Sequence, residues 1–123
     1  DLLNVPFAYV RAEAKSHGRK NRIEGDLSAC QDILVVEDLI STGGSSLQVV
    51  DVLREEGKNV VGAVAIFDYG FEQARQNFLK HNVVYKTITN YDTLIQVANE
   101  NDYIKEDDVR MLIEWRVDPQ NWE

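Results

Sequence analysis

Ile33-Leu34-Val35-Val36-Glu37-Asp38-Leu39-Ile40-Ser41-Thr42-Gly43-Gly44-Ser45 is the stretch that decides the fold. Four aliphatic residues without polar alternation, at 33–36, read as a strand buried on both faces, the mark of a parallel sheet. The small and hydroxylated run from Ser41 to Ser46 then turns the chain. Leu47, Val50 and Leu53 recur at helical spacing, and Gly57 stops that period in the manner of a helix C-cap.

Outward from this unit the punctuation repeats. Downstream, residues 59–67 form a second apolar strand, 71–80 a helix with Phe71, Ala74, Phe78 and Leu79 inward, and 83–88 a third short strand. Helices are predicted over about 91–100 and 105–115, with Asn90 and Lys105-Glu106 near their starts and Pro119 beyond the last. Upstream, 7–10 reads as a strand, and 11–25, which includes Gly18 and Gly25, carries no period and reads as a long flexible loop. Strands separated by helices imply right-handed crossovers, with ligands bound off the carboxyl ends of the strands. The expected fold class is α/β, a mostly parallel sheet flanked by helices, in a single domain spanning 1–123.

Composition agrees with one folded core. The 123 residues are 44% hydrophobic and 28% charged, with 7 Gly and 2 Pro, which excludes a disordered tail. With 13 Lys and Arg against 21 Asp and Glu the net charge is −8, so neither nucleic acid nor an anionic membrane is an expected partner. Cys30 is alone, which excludes an internal disulfide, and no apolar run approaches the ~20 residues of a membrane span. A soluble, cytoplasmic protein is expected. Residues 1–6 show neither initiator Met nor signal-peptide pattern and read as a helix end running into a strand. A start in mid-fold would leave a sheet edge or an apolar face for something else to cover.

Two constellations carry chemistry. Glu37 and Asp38 stand at the end of the first buried strand, and the Gly43-Gly44 step behind them lets backbone N–H groups converge at a helix start, where a phosphate fits. Carboxylates repel phosphate, so their partners are the hydroxyls of an attached sugar, or Mg²⁺ held largely through water. A sugar phosphate satisfies both halves. The plain alternative is a helix whose Ser and Thr residues only cap it, and the acidic pair weighs against that. The second constellation is Arg11-Ala12-Glu13-Ala14-Lys15-Ser16-His17-Gly18-Arg19-Lys20-Asn21-Arg22, with five cations against Glu13. Such a loop suits a small polyanion that arrives, is enclosed and leaves. Taken alone, a solvated loop would be the better reading.

Together the two segments resemble a known family. The stretch 33–45 is similar to the phosphoribosyl pyrophosphate (PRPP) motif of type I phosphoribosyltransferases, and Arg11 to Gly18 resembles the catalytic loop of the orotate phosphoribosyltransferases. Thr89-Asn90-Tyr91-Asp92-Thr93-Leu94 has the family's look as well. The resemblance implies Mg²⁺-dependent transfer of phosphoribosyl from PRPP to orotate, giving orotidine 5′-monophosphate in pyrimidine biosynthesis. It also implies a homodimer in which the loop around Lys15 acts in the partner's site. Glu37 and Asp38 would hold the ribose diol, the amides and hydroxyls of Ser41, Thr42, Gly43, Gly44 and Ser45 the 5′-phosphate, with Leu39 and Ile40 counted in the same PRPP-binding stretch, and Ser41 would also lie near the orotate. Arg11, Lys15 and His17 match positions that contact the diphosphate, with Lys15 neutralising the leaving group. Lys15, His17 and Asp38 are the expected catalytic residues, and no side chain is expected to bind the metal directly.

Departures from the pattern narrow the resemblance. Many members have Lys where this chain has Ala12, and some place an Arg near the base where this chain has Asp68-Tyr69-Gly70-Phe71. The family also carries a further upstream region, which leaves open whether these 123 residues act alone. Three rivals stay in play: a purine phosphoribosyltransferase, a non-catalytic regulator that binds PRPP, and a signalling receiver domain with Asp68 as acceptor. The receiver suffers from the glycine turn and the position of its acidic strand. His81 reads as a surface residue, Cys30 as an inert one, and Trp115 and Trp122 as packing anchors.

Overall fold

The computed structural model describes residues 2–11 and 22–122. Two short strands, β1 (Tyr9–Val10) and β2 (Ile23–Glu24), pair antiparallel as a ribbon. Three longer strands, β3 (Asp32–Ile40), β4 (Asn59–Asp68) and β5 (Tyr85–Asn90), form a parallel sheet in the order β3-β4-β5. Helix α1 (Gly44–Glu55) joins β3 to β4, and α2 (Glu72–Lys80) joins β4 to β5. After β5 come α3 (Tyr91–Glu100), α4 (Glu106–Val117) and a 3₁₀ turn at Pro119–Asn121. The expected α/β class with a parallel sheet flanked by helices is what the chain adopts.

Helix α1 packs on β3 and β4 and also touches α2, so both crossover helices cover one face of the sheet. Val35, Ala63 and Ala65 from the sheet meet Leu47, Val50 and Leu53 of α1 and Ala74 and Phe78 of α2 in the core. Phe78 is almost fully buried, and its ring lies 4.3 Å from that of Tyr85. The small side chains of Ala63 and Ala65 let the helices lie close to the sheet. Gly62 has the same effect at the β4–β5 seam, where a Cβ would come within 3.0 Å of the Val84 carbonyl.

Several expectations need correction, among them Leu79, expected inward on the second helix but exposed. β3 runs four residues past Val36 and carries the acidic pair inside the ladder, because Glu37, Leu39 and Ile40 pair with Ala65, Phe67 and Asp68 of β4. Its two-faced burial does not hold among the described residues, since Leu34 and Val36 are exposed on the face away from α1. The first strand shrinks from 7–10 to Tyr9–Val10, and the loop 11–25 gives up Ile23–Glu24 as that strand's partner. The third strand is shifted two residues later than 83–88, leaving Val83 in the core just ahead of it.

Helix ends follow ordinary chemistry. Gly57 (φ 78°) closes α1, with Gly57 N–H donating to Arg54 O and Lys58 N–H to Leu53 O, a Schellman motif. The Asn90 side chain accepts from Thr93 N–H at the head of α3, and Lys105 N–H donates to the Asp108 carboxylate at the head of α4. Among the described residues no helix is long and apolar enough to cross a membrane.

Candidate functional site

The carboxyl end of β3 brings the acidic pair and the glycine turn to one end of the sheet. At about 3.3 Å per strand residue, Glu37 and Asp38 stand roughly 10–13 Å along the chain from Ser41. Strand alternation places them on opposite faces. Glu37 shares the helix-covered side with Val35 and is half-buried, whereas Asp38 lies exposed on the open side with Val36.

The turn is built around Gly43. Its φ of 84° lies in the left-handed region that side chains rarely adopt, and a Cβ there would fall 2.7 Å from Phe78 Cε2. Glycine is therefore demanded twice, once by the backbone and once by the core ring behind it. Asn77 of α2 donates its amide to the Thr42 carbonyl at 3.1 Å, tying the turn to the neighbouring helix. Tyr69 N–H donates to the Ile40 carbonyl at 3.2 Å from the end of β4. Ile40 itself is buried in the core, so only its backbone is available to a ligand, while Leu39 is exposed.

Helix α1 starts at Gly44, three residues ahead of Leu47, which puts Gly44, Ser45 and Ser46 in its first turn. No side chain caps this end and no acidic residue sits in the first turn. Helix N-terminal N–H groups lack intrahelical partners, and with the macrodipole behind them they favour an anion. Gly44 N–H approaches Thr42 Oγ1 only loosely, at 3.4 Å. Ser41 and Thr42 are half-buried, whereas Gly44 and Ser45 face solvent.

Arg11 lies where the ribbon leaves the core. Its N–H donates to the Arg22 carbonyl at 2.7 Å, Arg22 Nε donates back to the Arg11 carbonyl at 2.9 Å, and its guanidinium pairs with the Glu24 carboxylate. Ala12, Lys15 and His17 lie outside the described residues.

No group of three or more His, Cys, Asp or Glu side chains among the described residues is placed to hold a metal ion. Consecutive carboxylates on opposite faces of a strand do not chelate one ion. They suit a Mg²⁺ that keeps most of its waters and takes its remaining oxygens from a phosphate ligand.

One cluster was not foreseen as a unit. Asp68 accepts from Gly70 N–H at 2.8 Å in a tight turn after β4, and the following rings gather. Tyr69 stacks on Phe71 at 5.2 Å and lies near Tyr91 and Trp115, 5.8 and 6.0 Å away. Tyr91 Oη donates to the Leu112 carbonyl, and Arg116 lies over the Tyr91 ring while pairing with Asp92. The rings were individually visible, but their meeting depends on how α3 and α4 fold back. Trp115 is thus the packing anchor expected. His81, near the surface, approaches Asp51 at 3.7 Å.

Comparison with known proteins places this geometry in context. No family model matches the chain. The chain is 50% identical over 123 residues to the orotate phosphoribosyltransferase of Bacteroides fragilis, covering 100% of itself and 58% of that relative. It therefore spans a little over half the length of the curated relatives it matches. The orotate phosphoribosyltransferase of Aeropyrum pernix superposes with a TM-score of 0.70 at 29% identity, over 85% of this chain and 56% of that one. The orotate phosphoribosyltransferase of Mycobacterium tuberculosis, solved in complex with 5-phospho-alpha-D-ribosyl 1-diphosphate, matches at 30% identity and a TM-score of 0.55, over 66% of this chain and 45% of that one.

Proposed function

We propose that this chain, which has the fold of the type I phosphoribosyltransferases and matches orotate phosphoribosyltransferases along its whole length, is the donor-binding part of such an enzyme. The reaction is transfer of phosphoribosyl from PRPP to orotate, giving orotidine 5′-monophosphate and diphosphate. The observation that carries this reading is the Gly43 turn: a left-handed glycine wedged on Phe78 opens an uncapped helix directly after a strand bearing Glu37 and Asp38.

The chemistry follows from these residues. The 5′-phosphate sits on the N–H groups of the turn and the first turn of α1, with the Ser41, Thr42 and Ser45 hydroxyls as further donors. Asp38, on the open side of the strand, accepts from the ribose hydroxyls, with Glu37 behind it on the other face. As the bond from the anomeric carbon to the diphosphate breaks, positive charge grows on the ribose ring and negative charge on the departing group. Carboxylates near the ring and cations at the diphosphate stabilise both. Arg11, Lys15 and His17 supply that second half, Lys15 acting on the leaving oxygen and His17 donating a hydrogen bond. The orotate ring nitrogen gives up its proton to the departing diphosphate and closes the new bond to the anomeric carbon, so no covalent enzyme intermediate is required. Mg²⁺ fits as an ion carried in with PRPP, near Glu37 and Asp38, where it neutralises diphosphate charge. The active form is a cytoplasmic homodimer whose Lys15 loops act across the interface.

The test is turnover by the complete protein. Orotate and PRPP with Mg²⁺ should yield orotidine 5′-monophosphate, chelation of Mg²⁺ should abolish the reaction, and Asp38→Asn should weaken PRPP binding at least about tenfold, the range of a lost charge-assisted hydrogen bond. Product from a purine base but not from orotate would move the chain to a purine enzyme. PRPP binding without turnover on any base would make it a regulator.

A further inference from the structure

We propose that Glu24 holds the Arg11 guanidinium in place of the donor's diphosphate and surrenders it when the donor binds. The proposal rests on the reading of Arg11 as a diphosphate contact and adds to it an internal competitor. Register places Val10 and Ile23 on the ribbon face that packs against the core, and Tyr9, Arg11, Arg22 and Glu24 on the opposite face. The exchange of hydrogen bonds between Arg11 and Arg22 sets these two cations directly across from each other. Like charges opposed in this way disfavour a strand pair, and a carboxylate diagonal to them offsets the repulsion. Glu24 is that carboxylate, ion-paired with Arg11 across the ribbon.

The pair is made to be exchanged. Its side chains are 32% and 44% exposed, so water screens it and the attraction is modest. A diphosphate offers several negative charges and bidentate oxygens to the same planar guanidinium, a better partner than one half-exposed carboxylate. Glu24 offsets part of the repulsion between the two opposed cations in the free protein. With it, the ribbon keeps its register, at a small cost in donor affinity. Glu24 touches neither donor nor acceptor in this account and is a positioning residue.

Calorimetric titration of the complete protein with Mg²⁺ and PRPP tests this through four proteins: the natural sequence, Glu24→Gln, Arg11→Ala and the double variant. The proposal predicts roughly two- to five-fold tighter binding for Glu24→Gln, the size of a screened pair. It predicts weaker binding for Arg11→Ala, and no further effect of Glu24→Gln once Arg11 is gone. Glu24→Asp, which withdraws the carboxylate by one methylene, should tighten binding by less than Glu24→Gln. A merely structural role would loosen binding in both Glu24 variants. Unchanged or weaker binding in Glu24→Gln, alongside weaker binding in Arg11→Ala, would overturn the competitor while leaving Arg11 in the site. Unchanged binding in Arg11→Ala would overturn the reading of Arg11 and the proposal with it. Equal tightening with and without Arg11 would reduce Glu24 to a long-range charge and overturn the exchange.

Discussion

At the scale of single residues, Gly43 joins the core to the proposed phosphate site. Its left-handed backbone and the Phe78 ring behind it leave no room for a methyl group. Gly43→Ala is expected to lower stability by about 1–3 kcal/mol, from backbone strain plus overpacking, and to reduce PRPP affinity with it. Urea denaturation monitored by circular dichroism reads the first and calorimetry the second. Lys15 makes a contrasting case. A cation that interacts most strongly as charge develops on the leaving group contributes to turnover more than to binding. Lys15→Ala should therefore cut kcat by about a hundredfold or more while changing PRPP affinity only a few-fold, as steady-state kinetics beside calorimetry would show. Equal losses in both would demote Lys15 to a binding contact.

At the scale of elements, the order strand, glycine turn, helix was legible because three independent signals agreed: an aliphatic run, a cluster of small residues and a period near four. The end of β3 was not legible. Glu37 and Asp38 look like a loop by polarity, yet the strand runs through both, with Glu37 paired to Ala65 of β4, and ladder pairing outweighs side-chain character there. The ribbon escaped notice for a different reason. Two-residue strands such as Tyr9–Val10 and Ile23–Glu24 have no period to detect, and only their long-range pairing and the packing of Val10 and Ile23 on the core define them. Gly57 was read correctly as the stop of α1, and it carries a prediction. Its φ of 78° and the open space around it mean that Gly57→Ala meets backbone strain without a clash. The cost should be about 1–2 kcal/mol, measured by urea denaturation, with PRPP affinity unchanged.

At the scale of the whole molecule, one face of the sheet is covered by α1 and α2, and the other shows Leu34, Val36, Ile66 and Ile88 to solvent. The sequence reading expected the strand at 33–36 to be buried on both faces, so this open apolar face was not legible in it. The aromatic group at the carboxyl end of the sheet was beyond it, since Tyr91 and Trp115 come from α3 and α4 and Tyr69 and Phe71 from the turn after β4. This packing gives stability a pH dependence. Burial raises the phenol pKa of Tyr91, and burial followed by the charge of Asp68 raises that of Tyr85. A folded pKa above the unfolded one means that the neutral phenol is favoured in the fold. Its contribution is intact below the ordinary phenol value of about 10 and is lost as pH rises through the higher folded value. The urea midpoint should therefore fall above about pH 10. Tyr91→Phe should flatten that fall, while losing roughly 0.5–1.5 kcal/mol at neutral pH with the hydrogen bond to the Leu112 carbonyl.

The central claim, that the turn between β3 and α1 receives the terminal phosphate of an activated ribose, is tested most directly by ¹⁵N-resolved NMR of the complete protein titrated with ribose 5-phosphate and then with PRPP and Mg²⁺. The account predicts that the amides of Gly43, Gly44, Ser45 and Ser46 shift downfield with ribose 5-phosphate alone, and that Glu37 and Asp38 follow in the same titration. Saturating ligand that moves amides elsewhere and leaves these at their free positions would contradict it.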